Sequence, residues 1–295
     1  DFEMYVGVDD DNEDMFEKVV LIECKEENDI QDIADFVGDS LALAQKAATT
    51  DADIIVFAGV HFMAETAKIL NPTKKVLLPD LKAGCSLADS CPPAEFAAFK
   101  KLHPNHLVVS YVNTSAEIKA LTDIVCTSSN AARAMKWAFE KADKILFLPD
   151  QHLGRNTAVL SLGLSLSDCV VFNPWKANGG LTDDQIKNAK VILWRGHCSV
   201  HGRFSIQNIN DVRAKLSGVK VLVHPECQHE VVSNADVVGS TEMIIKTVEQ
   251  SPAGSKWAIG TELNLVQRLA KENLDKQIVF LDKTVCYCST MNRID

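Results

Sequence analysis

The sequence predicts an α/β protein made of short parallel sheets in three similar units. Three observations carry that expectation. Short β-branched or leucine-rich runs recur along the chain, stretches with apolar residues at helical spacing separate them, and the runs fall into three sets of three to five.

Taken in order, the strand-like runs are VVLI (19–22), DIIVF (53–57), KVLLP (75–79), HLVVSY (106–111), DIVC (123–126), KILFLP (144–149), KVILW (190–194), KVLVH (220–224), ADVVG (235–239), KWAIG (256–260) and IVFL (278–281). Between them, DIQDIADFVGDSLALAQKAAT, VHFMAETAKILN, SAEIKALT, SSNAARAMKWAFEKA and STEMIIKTVEQS have helical apolar spacing, and several start directly after Ser, Thr or Asp, as capping requires. The spacing divides the chain into units at 1–100, with an acidic N-terminal segment, 101–188, with an insertion at about 160–185, and 189–295, which carries the C-terminal cysteines. No close sequence repeat accompanies this division, which rests on spacing alone.

At 295 residues, 46% of them hydrophobic, the chain can bury substantial cores. Forty acidic against thirty basic residues give a formal charge of −10, which argues against a nucleic-acid or anionic-membrane surface. Anionic ligands would need local donors. The opening residues carry DDDNED with no apolar signal core, and nine cysteines without such a signal point to thiolate chemistry in a reducing compartment. A cytoplasmic location is therefore expected.

In such folds ligands collect beyond the carboxyl ends of strands. Cys85 follows the third strand-like run, Tyr111 and Asn113 the fourth, and Ser128 and Ser129 the fifth; Cys198, His224, Glu226, Ser240, Thr241 and Cys288 follow later ones. Free cysteine is usually a small buried hydrophobe, and Cys24, Cys126 and Cys169, beside apolar runs, read that way. Cys85 in LKAGCSLAD and Cys198 in RGHCSVH lie instead among Gly, Ser, Asp and His, while Cys286 and Cys288 alternate in VCYCSTM and compete for one position. One thiolate per unit converging on a shared centre suits a [4Fe–4S] cluster with one iron left open as a Lewis acid.

The strings GDSLALA, GVHFMAETAKIL, LPDLKAGCSLADSCP, YVNTSAEIKA, CTSSNA, FLPDQHLG, GHCSVHGRF, HPEC, GSTEMIIK and GTELNLVQRL occur in this order between about Asp29 and Ile294. Together they closely resemble the quinolinate synthase family. The resemblance implies a pseudo-threefold α/β fold around one [4Fe–4S] cluster per chain. It also implies a transferase that condenses iminoaspartate with dihydroxyacetone phosphate to quinolinate, phosphate and water, in NAD biosynthesis. It assigns cluster ligation to Cys85, Cys198 and the Cys288 of a C-x-x-M pattern, with Cys286 two residues out of register. It makes Ser40, Asn113, Ser128 and Thr241 substrate contacts, and it links the chain to L-aspartate oxidase as the supplier of iminoaspartate. His224, at the end of the strand before Glu226, is read from its own position as a donor to a substrate carboxylate.

Elimination of water needs an acid on the departing hydroxyl and a base for the adjacent proton. Glu226 in HPEC is the expected base, since burial beyond a strand would raise its pKa. The resemblance, through its Y-x-N pattern, implies that Tyr111 donates or accepts a proton near the open iron. His201 and Arg203 are read as orienting the Cys198 loop. After the first strand the family carries a histidine and tyrosines, typically AHYYQ, where this chain has Ile22-Glu23-Cys24-Lys25-Glu26. A glutamate there would repel a dicarboxylate, so a catalytically weak iron–sulfur homologue that binds a small anion is the alternative. A zinc deaminase site built on His224, Glu226 and Cys227 with Cys286 and Cys288 is disfavoured, because the P-C-x-x-C it needs does not occur and Cys286 and Cys288 have the wrong spacing. No glycine-rich nucleotide fingerprint is present either.

Overall fold

The computed structural model describes residues 19–23, 33–38 and 40–282. Among the described residues, thirteen strands form three sheets, and every pairing between them is parallel. The first sheet has β1 (Val19–Glu23), β2 (Phe36–Val37), β3 (Ile54–Ala58) and β4 (Lys75–Leu77) in the order β2-β1-β3-β4. The third repeats that order, β11-β10-β12-β13, with β10 (Lys220–Val223), β11 (Val237–Val238), β12 (Lys256–Gly260) and β13 (Gln277–Phe280). The middle sheet runs β6-β5-β7-β9-β8, from β5 (Leu107–Tyr111), β6 (Ile124–Cys126), β7 (Ile145–Leu148), β8 (Cys169–Phe172) and β9 (Val191–Trp194). Without β8 the middle order matches the other two.

Two differences from the expected elements matter. The segment at 160–185, read as an insertion, contributes β8 as an added edge strand, and β9, assigned by spacing to the third unit, pairs with β7 and β8 in the middle sheet. A single helix expected over 29–49 is instead β2 followed by α1 (Ser40–Thr49). Phe36 and Val37 continue the helical spacing of the residues before them, so periodicity alone does not separate them.

Both faces of the middle sheet are covered at β7 and β9, which is why these two strands are apolar throughout. Val109, Ile145, Phe147, Val191 and Leu193 face a core shared with the first unit, while Val108, Leu146, Leu148 and Ile192 face a second core with Phe96, Phe99 and Trp194. The third sheet alternates likewise. Val221, Val223 and Ala258 lie on one side, and Leu222, Trp257 and Ile259 on the other.

The crossover helices include α2 (His61–Leu70), α3 (Ser86–Asp89), α4 (Pro93–Leu102), α5 (Ala116–Ala120), α6 (Ala131–Phe139) and α7 (Gln151–Asn156). They continue as α8 (Asp183–Asn188), α9 (Ile206–Lys215), α10 (His229–Asn234), α11 (Thr241–Glu249) and α12 (Leu263–Glu272). Side-chain oxygens close many of their starts. Ser115 and Ser240 accept from amides of the first turn, Thr182 and Ser205 form capping boxes, and Asp150 and Glu262 each accept two backbone N–H groups. Among the described residues, no helix is long and apolar enough to cross a membrane.

Candidate active site

The turns that leave the strands at their carboxyl ends enclose a cavity of about 150 Å³. Cys85 and Ser86 reach it from the first unit, Tyr111, Asn113, Thr127 and Ser128 from β5 and β6, and Cys198 and His201 from the turn after β9. His224, Glu226, Thr241, Thr261 and Glu262 come from the turns after β10, β11 and β12. Between these polar groups the wall is apolar, with Val60, Phe62, Met63, Leu87, Val112 and Leu265.

Each cysteine loop is anchored by backbone bonds. His61 N donates to Ala83 O at 2.8 Å and Asp89 N to Cys85 O at 3.0 Å, so Cys85 sits at the start of α3. On the Cys198 loop, Gln151 N donates to Gly196 O at 2.9 Å and Gly202 N to Cys198 O at 2.9 Å. A side chain at Gly196 cannot be accommodated, because a Cβ there would lie 2.3 Å from Pro149 O and from Ser90 Oγ. The loop therefore passes hard against the end of β7.

Glu226 is the electrostatic centre. Its Oε2 lies 2.7 Å from His201 Nδ1 and 3.3 Å from His224 Nδ1, and the two imidazoles stack with centroids 4.5 Å apart. His201 Nε2 is 3.2 Å from Thr261 Oγ1. The carboxylate is 3% exposed, and its Oε1 is buried without a hydrogen-bond partner.

Burial alone would raise the Glu226 pKa, as the sequence suggests, but the two histidines outweigh it and hold the carboxyl below the ordinary carboxylate range. The expected upward shift is corrected accordingly. Tyr111 moves the other way: burial first, then the charges of Glu226 and Asp150, push its phenol well up, so it stays protonated. Removal from water, followed by Glu226, likewise pushes up the Cys198 thiol.

Asn113, Ser128, His224 and Thr241, singled out from the sequence, share this cavity with Cys85, Tyr111, Cys198 and Glu226. Ser128 and Ser129 do not cap α6. Asn130 stands at the N-cap position without a side-chain bond to the first turn, and its Oδ1 accepts instead from Thr127 N at 2.8 Å. Ser240 does cap α11, accepting from Met243 N at 3.4 Å, and leaves Thr241 to face the cavity. Ser40 begins α1, whose Leu41 lines the cavity. Glu23 ends β1 in register with Val37 and Ala58. Cys24, Lys25, Cys286 and Cys288 lie outside the described residues.

Two residues matter more than the sequence indicates. His201, read as a loop-orienting group, is in direct contact with Glu226. Asp150, which the sequence does not single out, caps α7 and also accepts from Cys198 N at 3.1 Å. Burial, then the Glu226 charge, push its carboxyl well up against three backbone N–H bonds. Cys227 turns away into the core, its thiol 3.8 Å from Gly260 O. Among the described residues, the group able to hold a metal is Cys198, His201 and Glu226, with one ligand atom each within 4.8 Å of one another.

A family model described as quinolinate synthetase A protein matches residues 13–295. The chain belongs to the quinolinate synthetase A family. The quinolinate synthase of Streptomyces coelicolor is 60% identical over 282 residues, covering 91% of this chain and 72% of its own. Those of Nocardioides sp. and Bacillus subtilis are 57% and 50% identical, covering 91% and 92% of this chain and 73% and 76% of theirs. The family match spans all three sheets and every loop that opens on the cavity.

Proposed function

We propose that this chain is a quinolinate synthase that condenses iminoaspartate with dihydroxyacetone phosphate, releasing phosphate and water, in the route to NAD. The observation that carries the reading is the opening of Cys85 and Cys198, from loops of different sheets, onto one largely apolar cavity beside Glu226 and Tyr111. Membership of the family supports the same reaction.

The donor set fits an iron–sulfur group. Two thiols face one cavity, Cys198 lies within metal-ligating distance of His201 and Glu226, and a buried carboxylate oxygen there lacks a partner, a condition costing about 1–3 kcal/mol unless something else satisfies it. Cys85, Cys198 and Cys288 would hold a [4Fe–4S] cluster, which with three protein ligands supplies an open iron as a Lewis acid for the departing hydroxyl.

The chain's own groups do the rest. Glu226 Oε1 accepts the substrate proton while Oε2 keeps its contact with His201, so the glutamate and the imidazole act as one proton-holding pair. Tyr111 donates from its protonated phenol. Asn113, Ser128, His224 and Thr241, with Ser40, bind carboxylate and phosphate oxygens through neutral donors, which a chain of charge −10 needs. The apolar wall excludes water, which strengthens each of these polar contacts.

The test is anaerobic reconstitution with iron and sulfide, followed by assay for quinolinate from both substrates. Quinolinate formed in proportion to cluster content is the expected result. A full cluster without quinolinate would leave a cluster-bearing protein that only binds a small anion.

A further inference from the structure

Helix α7 stands between the two loops on which the proposed chemistry depends. At its start, the fully buried Asp150 accepts from His152 N at 2.8 Å and Leu153 N at 2.7 Å through Oδ1, and from Cys198 N at 3.1 Å through Oδ2. At its end, Asn156 Nδ2 donates to Pro225 O at 2.8 Å and to Cys227 O at 2.9 Å, the carbonyls on either side of Glu226. Asn156 Oδ1 is held in turn by His229 Nδ1 at 2.9 Å. Both side chains are buried, and the bonds to Leu153 N and Cys227 O are made away from competing water.

A cap needs only the bonds to the first turn, and an asparagine at the point where α7 runs on into the π-helical turn Thr157–Ser161 needs none to a distant loop. The surplus bonds are the informative ones. Asp150 uses its second oxygen on the amide of Cys198, and Asn156 brackets Glu226 with both protons of one amide. We propose that Asp150 and Asn156 are positioning residues with separate duties: Asp150 fixes the Cys198 thiol and Asn156 fixes the Glu226 carboxylate, with α7 as the strut that sets one against the other. The assignment rests on Cys198 as a cluster ligand and Glu226 as a proton acceptor. Groups that orient metal ligands typically matter by about 10–100-fold in affinity or activity.

Asp150→Ser keeps a hydroxyl to cap α7 but is too short to reach Cys198 N, and Asn156→Ala removes the bracket on Glu226. Three readouts compare them with the parent. They are amide hydrogen exchange of the cluster-free chain over residues 195–201 and 224–228, iron release from the reconstituted chain to a chelator, and turnover per cluster across pH.

Asp150→Ser should speed exchange over 195–201 alone and release iron about tenfold faster. Asn156→Ala should speed exchange over 224–228 alone, keep parental iron release, lower turnover per cluster about tenfold and shift its acid limb. Parental exchange at the residue's own loop, in either variant, overturns the proposal. So does loosening of both loops by each variant, which would mark α7 as general packing. Should the parent bind no cluster, the ligand role of Cys198 falls, and the exchange pattern by itself still decides the positioning roles.

Discussion

At His106, both ring nitrogens are buried without a hydrogen-bond partner, and the His103 ring stands 5.1 Å away. Burial, then the charges of His103 and Lys144, hold its pKa down at about 4. The folded chain therefore keeps this imidazole neutral while the unfolded chain takes up a proton as pH falls below about 6.5. Stability is lost from there downward, and the loss is complete near pH 4. After allowance for partial solvent screening it amounts to about 2 kcal/mol. His106→Gln should flatten that part of the acid limb in urea titrations at pH 7 and pH 4.5; an unchanged slope would contradict the assignment. At Glu226, replacement by Gln keeps shape but removes the accepting charge. It should leave iron content intact and cut turnover by about 10²–10⁴-fold. Parental turnover per cluster would shift the proton to another group. The cavity lining was legible in the sequence where a polar residue ends or follows an apolar strand, as with Cys85, Tyr111 and His224. Asp150 was not, because an aspartate before a helix already has a sufficient role as a cap, and its second oxygen finds Cys198 only in three dimensions.

Helix α7 also sets a requirement on Gly154, where a Cβ would fall 2.5 Å from Phe147 Cδ1 and 2.6 Å from Leu193 Cδ2. These atoms belong to the core strands β7 and β9, which cannot easily yield. Gly154→Ala should therefore lift α7 from the sheet and cost about 1–3 kcal/mol, read as a lower urea midpoint. A stability equal to the parent would mean that the helix tolerates displacement and is a poor strut. Strands flanked by covered faces, such as β5, β7, β10 and β12, were evident from continuous apolar runs. The edge strand β8 was not, since it pairs on one side only and Val170, Val171 and Phe172 are half-buried inside a Ser- and Gly-rich segment. The same local ambiguity hid the short helices α7 and α10, which are too brief for a full apolar period.

The three sheets share the strand order of the first, with β8 as the addition to the middle one, and each sends loops to the same cavity. Such an assembly allows ligands far apart in sequence to meet without any local metal-binding motif, which explains why spacing rules for zinc sites find nothing here. It also separates the cysteines by environment. Cys126 and Cys169 are packed in the core shared by the first two units, and burial pushes their thiols up to about 12 and about 11. Cys85 and Cys198 line the cavity. Iron and sulfide analysis of anaerobically reconstituted parent, Cys85→Ser, Cys198→Ser, Cys126→Ser and Cys169→Ser tests this division most directly. About four irons and four sulfides per chain are expected in the parent, Cys126→Ser and Cys169→Ser, with loss of the cluster in Cys85→Ser and Cys198→Ser. A cluster retained in either of those two, or lost in Cys126→Ser, would contradict it.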